Sequence, residues 1–139
     1  ACASAGAYVA CSRTVRDYLV NRMRPFIFTT ALPPVSVAWT LFVVRRLTAM
    51  DDRRRHVLRL GERLRAHLAQ RGYASPSVSQ IVPMIVGPSA DTVLRAEALQ
   101  RHGFYALPVR PPTVPEGTSR IRFSLTAALT EDEVDAIPL

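Results

Sequence analysis

Four prolines in eight residues, at Pro108, Pro111, Pro112 and Pro115, rule out a helix between Leu107 and Pro115. Each restricts its own φ and drives the preceding residue toward extended backbone, so the loop can hold its shape without regular hydrogen bonding. Glu116-Gly117 then turns the chain, and the sequence beyond it alternates. Ile121, Phe123 and Leu125 take one face of a strand, while Arg120 and Arg122 share the other. A guanidinium carried on a strand beside a stiff loop suits a two-pronged hydrogen bond to a carboxylate or phosphate. Alternation alone leaves a second reading open, an ordinary half-exposed edge strand with solvated arginines.

The segments around this stretch supply its support. Ala1 to Ser12 reads as a loop entering a short buried strand at Tyr8-Val9-Ala10, and Ser12 or Thr14 caps a helix to about Met23. The apolar run Phe26 to Val44 is interrupted by Thr29-Thr30 and Pro33-Pro34, which leaves pieces too short to span a membrane. A helix from Pro34 packing through Trp39, Phe42 and Val43 is the better reading. Asp51-Asp52 opens another helix, with Val57, Leu60, Leu64 and Leu68 as its apolar stripe, arginines opposite and Gly72 at its end. Ser77 to Val86 reads as a strand, Ser89 caps a helix that stops at Gly103, and Phe104 to Val109 is a short strand. Thr130 and Glu133 form a capping box for a last helix. From about Val35 onward this order predicts a small α+β layer domain with a largely antiparallel sheet.

At 139 residues the chain can bury a core of its own. Its formal net charge of +7 raises nucleic acid as a partner, but all 18 basic residues are arginine, spread along the chain without interleaved aromatic residues. The charge therefore reads mainly as composition, and the expectation is no nucleic-acid and no membrane partner. Cys2 and Cys11 fit no metal or disulfide spacing and point to free thiols in a reducing compartment.

Three stretches, RPFIFTTALPP (Arg24 to Pro34), SQIVPMIVG (Ser79 to Gly87) and VRPPTVPEGTSRIRFSLTA (Val109 to Ala127), together resemble the α-oxoamine synthases. These are pyridoxal-phosphate enzymes of the aspartate aminotransferase fold (fold type I). The likeness is greatest to the members that join L-alanine to a pimeloyl thioester, carried on CoA or on an acyl carrier protein, with loss of carbon dioxide in biotin biosynthesis. The resemblance implies a division into the tail of a large α/β cofactor-binding domain with an interface segment (1–34) and a C-terminal small domain (35–139). It implies a cytoplasmic homodimer with pyridoxal 5'-phosphate as cofactor and a site shared across the interface. Thr29 and Thr30 match the segment whose hydroxyl contacts the cofactor phosphate, Thr113 a substrate-contacting threonine, and Arg122 the arginine that holds the amino-acid carboxylate. Arg120 is not separated from Arg122 by alternation; only the resemblance prefers the latter.

On this alignment the Schiff-base lysine stands immediately before Ala1, and the sequence contains no lysine at all. The expectation is a C-terminal part of an enzyme that is inactive in isolation, with no catalytic residue of its own. Ala3 and Ala7 depart from the family, which often has glycine there. Two alternatives stay open: a sister reaction joining glycine to an acetyl or succinyl thioester, and, from another class, a basic nucleic-acid-binding module.

Overall fold

The structure, a computed structural model, describes residues 3–139. The expectations about Ala1 and the thiol of Cys2 lie outside the described residues. The chain forms two compact units, Ala1–Met50 and Asp51–Leu139.

The first unit holds helices α1 (Arg13–Arg22), α2 (Arg24–Ile27) and α3 (Pro34–Leu47). Ser12 caps α1, its hydroxyl accepting from the Val15 amide at 3.4 Å. Proline at the first position of α3 costs no hydrogen bond, since that amide has no partner within a helix. The short buried strand expected at Tyr8 to Ala10 is not formed. These residues are exposed and irregular, and no strand among the described residues pairs with them. Before them Ala3 has φ +48° and Gly6 φ +121°. A Cβ on Gly6 would lie 2.8 Å from Leu32 Cδ1, so glycine there serves both conformation and space. The packed side expected on α3 is likewise absent within this unit: Trp39 and Phe42 stay about half exposed (46% and 48%), although their rings lie 5.7 Å apart and the Arg46 guanidinium sits 5.0 Å from the Phe42 ring centre. None of the described residues of this unit is buried.

Among the described residues, the buried core lies in the second unit. Its elements are α4 (Asp51–Gln70), β1 (Ile81–Gly87), α5 (Ser89–Arg101), β2 (Leu107–Val109), β3 (Ser119–Ser124) and α6 (Glu131–Asp135). The strands form an antiparallel sheet in the order β1-β3-β2, so the arginine-bearing strand is central, not an edge. Val82, Met84, Ile121 and Phe123 point from the sheet into the core, where they meet Leu60, Leu64 and Leu68 of α4 and Ala96 and Leu99 of α5. The stripe read from α4 is the buried one, apart from Val57, which is half-buried at the margin.

Two local expectations are corrected. The strand expected from Ser77 begins only at Ile81, because serine side chains satisfy the backbone beforehand: Ser77 Oγ donates to the Ile81 carbonyl at 2.5 Å, and Ser79 Oγ accepts from the Ile81 amide at 3.2 Å. Ser89 does not cap α5; Pro88 occupies that position, and Ser89 Oγ instead shares a 3.0 Å hydrogen bond with Ser119 Oγ.

Candidate functional site

One face of the sheet is covered by helices, and the other carries the arginines. Register places Arg122 between Pro83 and Leu107, and Arg120 between Ile85 and Val109. Directly opposed residues of antiparallel strands project to the same side, so these six side chains share the outward face. Arg122 is exposed, and among the described residues its guanidinium has no hydrogen-bond or ionic partner. Arg120 differs. It is half-buried, and its Nε donates to the Thr118 carbonyl at 3.0 Å, which fastens the side chain back to its own turn. Pairing thus distinguishes two arginines that alternation makes equivalent.

The proline loop enters this face through two turns. The Thr113 amide donates to the Arg110 carbonyl at 3.0 Å across a cis Pro111–Pro112 bond, and Thr118 donates twice to the Pro115 carbonyl, from its amide at 3.2 Å and from its hydroxyl at 2.7 Å. Gly117, at φ +73°, permits the second turn. Thr113 is exposed, and its hydroxyl has no partner among the described residues. Ser119, fully buried, pins the start of β3 to α5 through Ser89. Sequence reasoning passed over this residue, but the parity of Ile121 and Phe123 already places Ser119 on the inward face, where a hydroxyl needs a partner. Clefts of about 340 Å³ beside Phe104, Tyr105 and Glu133, and about 400 Å³ beside Tyr73, Asp91 and Arg95, are lined by neither Thr113 nor Arg122.

In the first unit Thr29 and Thr30 follow α2 in irregular, exposed backbone, and neither hydroxyl has a partner among the described residues. Two free hydroxyls on adjacent residues can both donate to phosphate oxygens. The sequence contains no lysine, so these residues hold no side-chain amine. Cys11 is an exposed free thiol, and no helix among the described residues is long and apolar enough to cross a membrane.

The strongest electrostatic feature lies elsewhere, between α4 and α6. Arg63 grips Asp135 with Nε at 2.6 Å and Nη2 at 2.5 Å, and reaches Glu131 with Nη1 at 3.0 Å. The hydrogen bond from Arg63 holds the Asp135 carboxyl below its ordinary range, with the positive charge of Arg63 and His67 adding to the effect against some desolvation. The same bond to Asp135 raises the Arg63 guanidinium above its already high value. The pair is exposed and distant in sequence from the arginine face, which fits a fastening for α6.

With this geometry in view, the chain belongs to the aminotransferase class I and II family, whose family model matches residues 1–137. Curated relatives narrow the likeness. The chain is 52% identical over 134 residues to a protein of Neisseria meningitidis serogroup A and to one of Haemophilus influenzae, and 53% identical over 133 residues to one of Pasteurella multocida, each named "Putative 8-amino-7-oxononanoate synthase". These matches cover 95–96% of this chain but only 34–35% of the relatives, so the chain spans about a third of their length. Among solved structures it resembles serine palmitoyltransferase from Sphingomonas wittichii (TM-score 0.79, 30% identity, 90% of this chain and 32% of that one). It also resembles an SPT structure holding its PLP internal aldimine (TM-score 0.81, 26% identity, 90% and 32%). The fold is shared as well with 8-amino-7-oxononanoate synthase from Francisella tularensis (TM-score 0.74, 21% identity, 89% and 36%). The fold is accordingly that of fold-type-I enzymes, mixed α+β with a small antiparallel sheet, and family and neighbours together imply pyridoxal phosphate.

Proposed function

We propose that, as part of a longer protein, this chain serves a pyridoxal-phosphate-dependent acyltransferase that condenses L-alanine with a pimeloyl thioester. The products are 8-amino-7-oxononanoate, carbon dioxide and the free thiol. The reading rests on identity of about half the residues, over nearly the whole chain, with proteins named for that reaction. It is supported by the Arg122 guanidinium, which has no partner among the described residues and stands on a sheet face that carries no acidic side chain.

When bound, pyridoxal phosphate supplies the electron sink that stabilises a carbanion at the amino-acid α-carbon. The chain's own residues bind and orient. Arg122 would receive the alanine carboxylate in its planar fork and so orient the amino acid at the site. Thr113 offers a hydroxyl to the substrate from the stiff loop, and Thr29 and Thr30 donate to the cofactor phosphate across a homodimer interface. In this reading residues 1–34 close the large cofactor-binding domain, 35–139 form the small domain, and the protein works in the cytoplasm. The amine that joins the cofactor comes from outside these residues, since the chain has no lysine.

The serine palmitoyltransferase neighbours favour a second reading, in which the same fold joins a different amino acid to a different thioester. An assay separates the two. The full-length protein, loaded with pyridoxal phosphate, is offered alanine, serine or glycine with pimeloyl-CoA or palmitoyl-CoA, and thiol release is followed. Turnover is expected with alanine and pimeloyl-CoA; turnover confined to serine and palmitoyl-CoA would establish the second reading.

A further inference from the structure

Arg120 and Arg122 stand two positions apart on β3, about 6.6 Å along the strand at roughly 3.3 Å per residue. Two positive side chains rooted this close on one face repel each other to the extent that their tips stay near, and an anion between or upon them relieves that repulsion. The face provides no anion. Its other members, Ile81, Pro83, Ile85, Leu107, Val109 and Ser124, are apolar or neutral, and neither arginine forms an ion pair among the described residues. A carboxylate on Arg122 satisfies one charge and leaves the second. Arg120 is also held in place: its Nε bond to Thr118 fixes the side chain, while Nη1 and Nη2 remain without a partner among the described residues. A fixed stem with a free, two-pronged tip is the arrangement that receives a second carboxylate with little loss of side-chain entropy.

We propose that Arg120 is a specificity-determining residue that binds the distal carboxylate of the acyl substrate, so that the sheet face selects a dicarboxylic acyl chain over a plain fatty one. Ile85 and Val109, opposite Arg120, and Pro83 and Leu107, opposite Arg122, flank the methylene chain between the charged ends. This inference deepens the reaction proposed above and rests on it for the identity of the acyl group, since a pimeloyl thioester carries a free carboxylate at its far end.

The test uses the full-length protein and two readouts. Calorimetric titration compares pimelate with heptanoate, which has the same chain and lacks the second carboxylate. Steady-state kinetics compare kcat/KM for pimeloyl-CoA and heptanoyl-CoA at saturating alanine. In Arg120→Gln the preference for the dicarboxylic form is expected to fall about tenfold or more in both readouts, as for a lost charge-assisted pair, and Arg120→Lys is expected to regain part of it. A preference unchanged in Arg120→Gln overturns the proposal, as does a wild-type protein that binds pimelate no better than heptanoate. A wild type that prefers pimelate yet does not condense pimeloyl-CoA with alanine would sink the proposed reaction and leave the role of Arg120 standing.

Discussion

The difference between Arg120 and Arg122 rests on a single hydrogen bond. Both project from the same face of β3, but the Thr118 carbonyl occupies Nε of one and nothing in the described residues occupies the other. A guanidinium whose whole edge is free can take a carboxylate through two parallel N–H donors, whereas one already using Nε has only its terminal pair to offer. Replacing Arg122 with alanine removes a charge-assisted pair and should weaken alanine binding by about 2 kcal/mol or more, roughly thirtyfold in apparent affinity. Arg122→Lys should fall between, because it keeps the charge and loses the fork. The measurement is the alanine KM of the full-length enzyme at saturating pimeloyl-CoA, and an Arg122→Ala protein with wild-type KM would remove Arg122 from the site. Residue-level chemistry was only half legible in advance. Alternation placed both side chains on one face, but the Thr118 bond depends on the turn geometry at Gly117, which composition and spacing do not encode.

Elements were legible where the residues that define them are local. The Thr130 and Glu133 capping box forms as read, with the Glu133 amide donating to Thr130 Oγ1 at 3.2 Å and the Thr130 amide donating to Glu133 Oε2 at 2.8 Å. The stripe of α4 and the parity of β3 were legible because one buried face allows only one register. Ser89 was misread because its hydroxyl pairs with a partner 30 residues away, beyond any local rule. The docking of α6 on α4 is of the same long-range kind, with Arg63 and Asp135 separated by 72 positions. Here the depressed Asp135 carboxyl makes a pH prediction, and its sign follows from linkage. A carboxyl whose folded value lies below the unfolded one, about 3.9, stabilises the fold above that pH and loses the contribution as pH falls through its lowered folded value. Arg63 stays charged throughout, so the loss follows Asp135 alone. Asp135→Asn should therefore melt lower than wild type at pH 5, by a small margin because the pair is exposed, and the gap should close on acidification. Thermal melts of both proteins between pH 5 and pH 2 check this, and a gap that does not narrow at all over that range would mean the carboxylate charge is not what fastens α6.

Across the whole chain, burial is divided unequally. Among the described residues, all 13 of the buried apolar core lie between Leu60 and Ile137, in the second unit. In the first, α3 presents Val35, Val37, Trp39, Leu41, Phe42 and Val44 with between 45% and 74% of their surface open, on several sides of one helix. A helix that is apolar on most sides is built to be enclosed, and three helices without a buried residue among those described do not enclose one another. That the chain spans only about a third of the length of its curated relatives fits this, since the proposed large domain and partner subunit are the surfaces such a helix needs. The second unit has the opposite character. Two helices cover one face of a three-stranded sheet, the last helix is capped and ion-paired, and the core stripe of α4 is continuous. Burying each of these side chains contributes about 1.5–3 kcal/mol toward holding the second unit together. Residues 51–139 produced alone should therefore unfold in one cooperative transition in urea, monitored by far-ultraviolet circular dichroism, and residues 1–50 alone should show none. Truncating Leu64, fully buried at the centre of the α4 stripe, to alanine should lower the urea midpoint of the 51–139 piece by the equivalent of about 2–5 kcal/mol. If 51–139 unfolds without a cooperative transition, its core depends on the rest of the protein, and the two units are one folding entity.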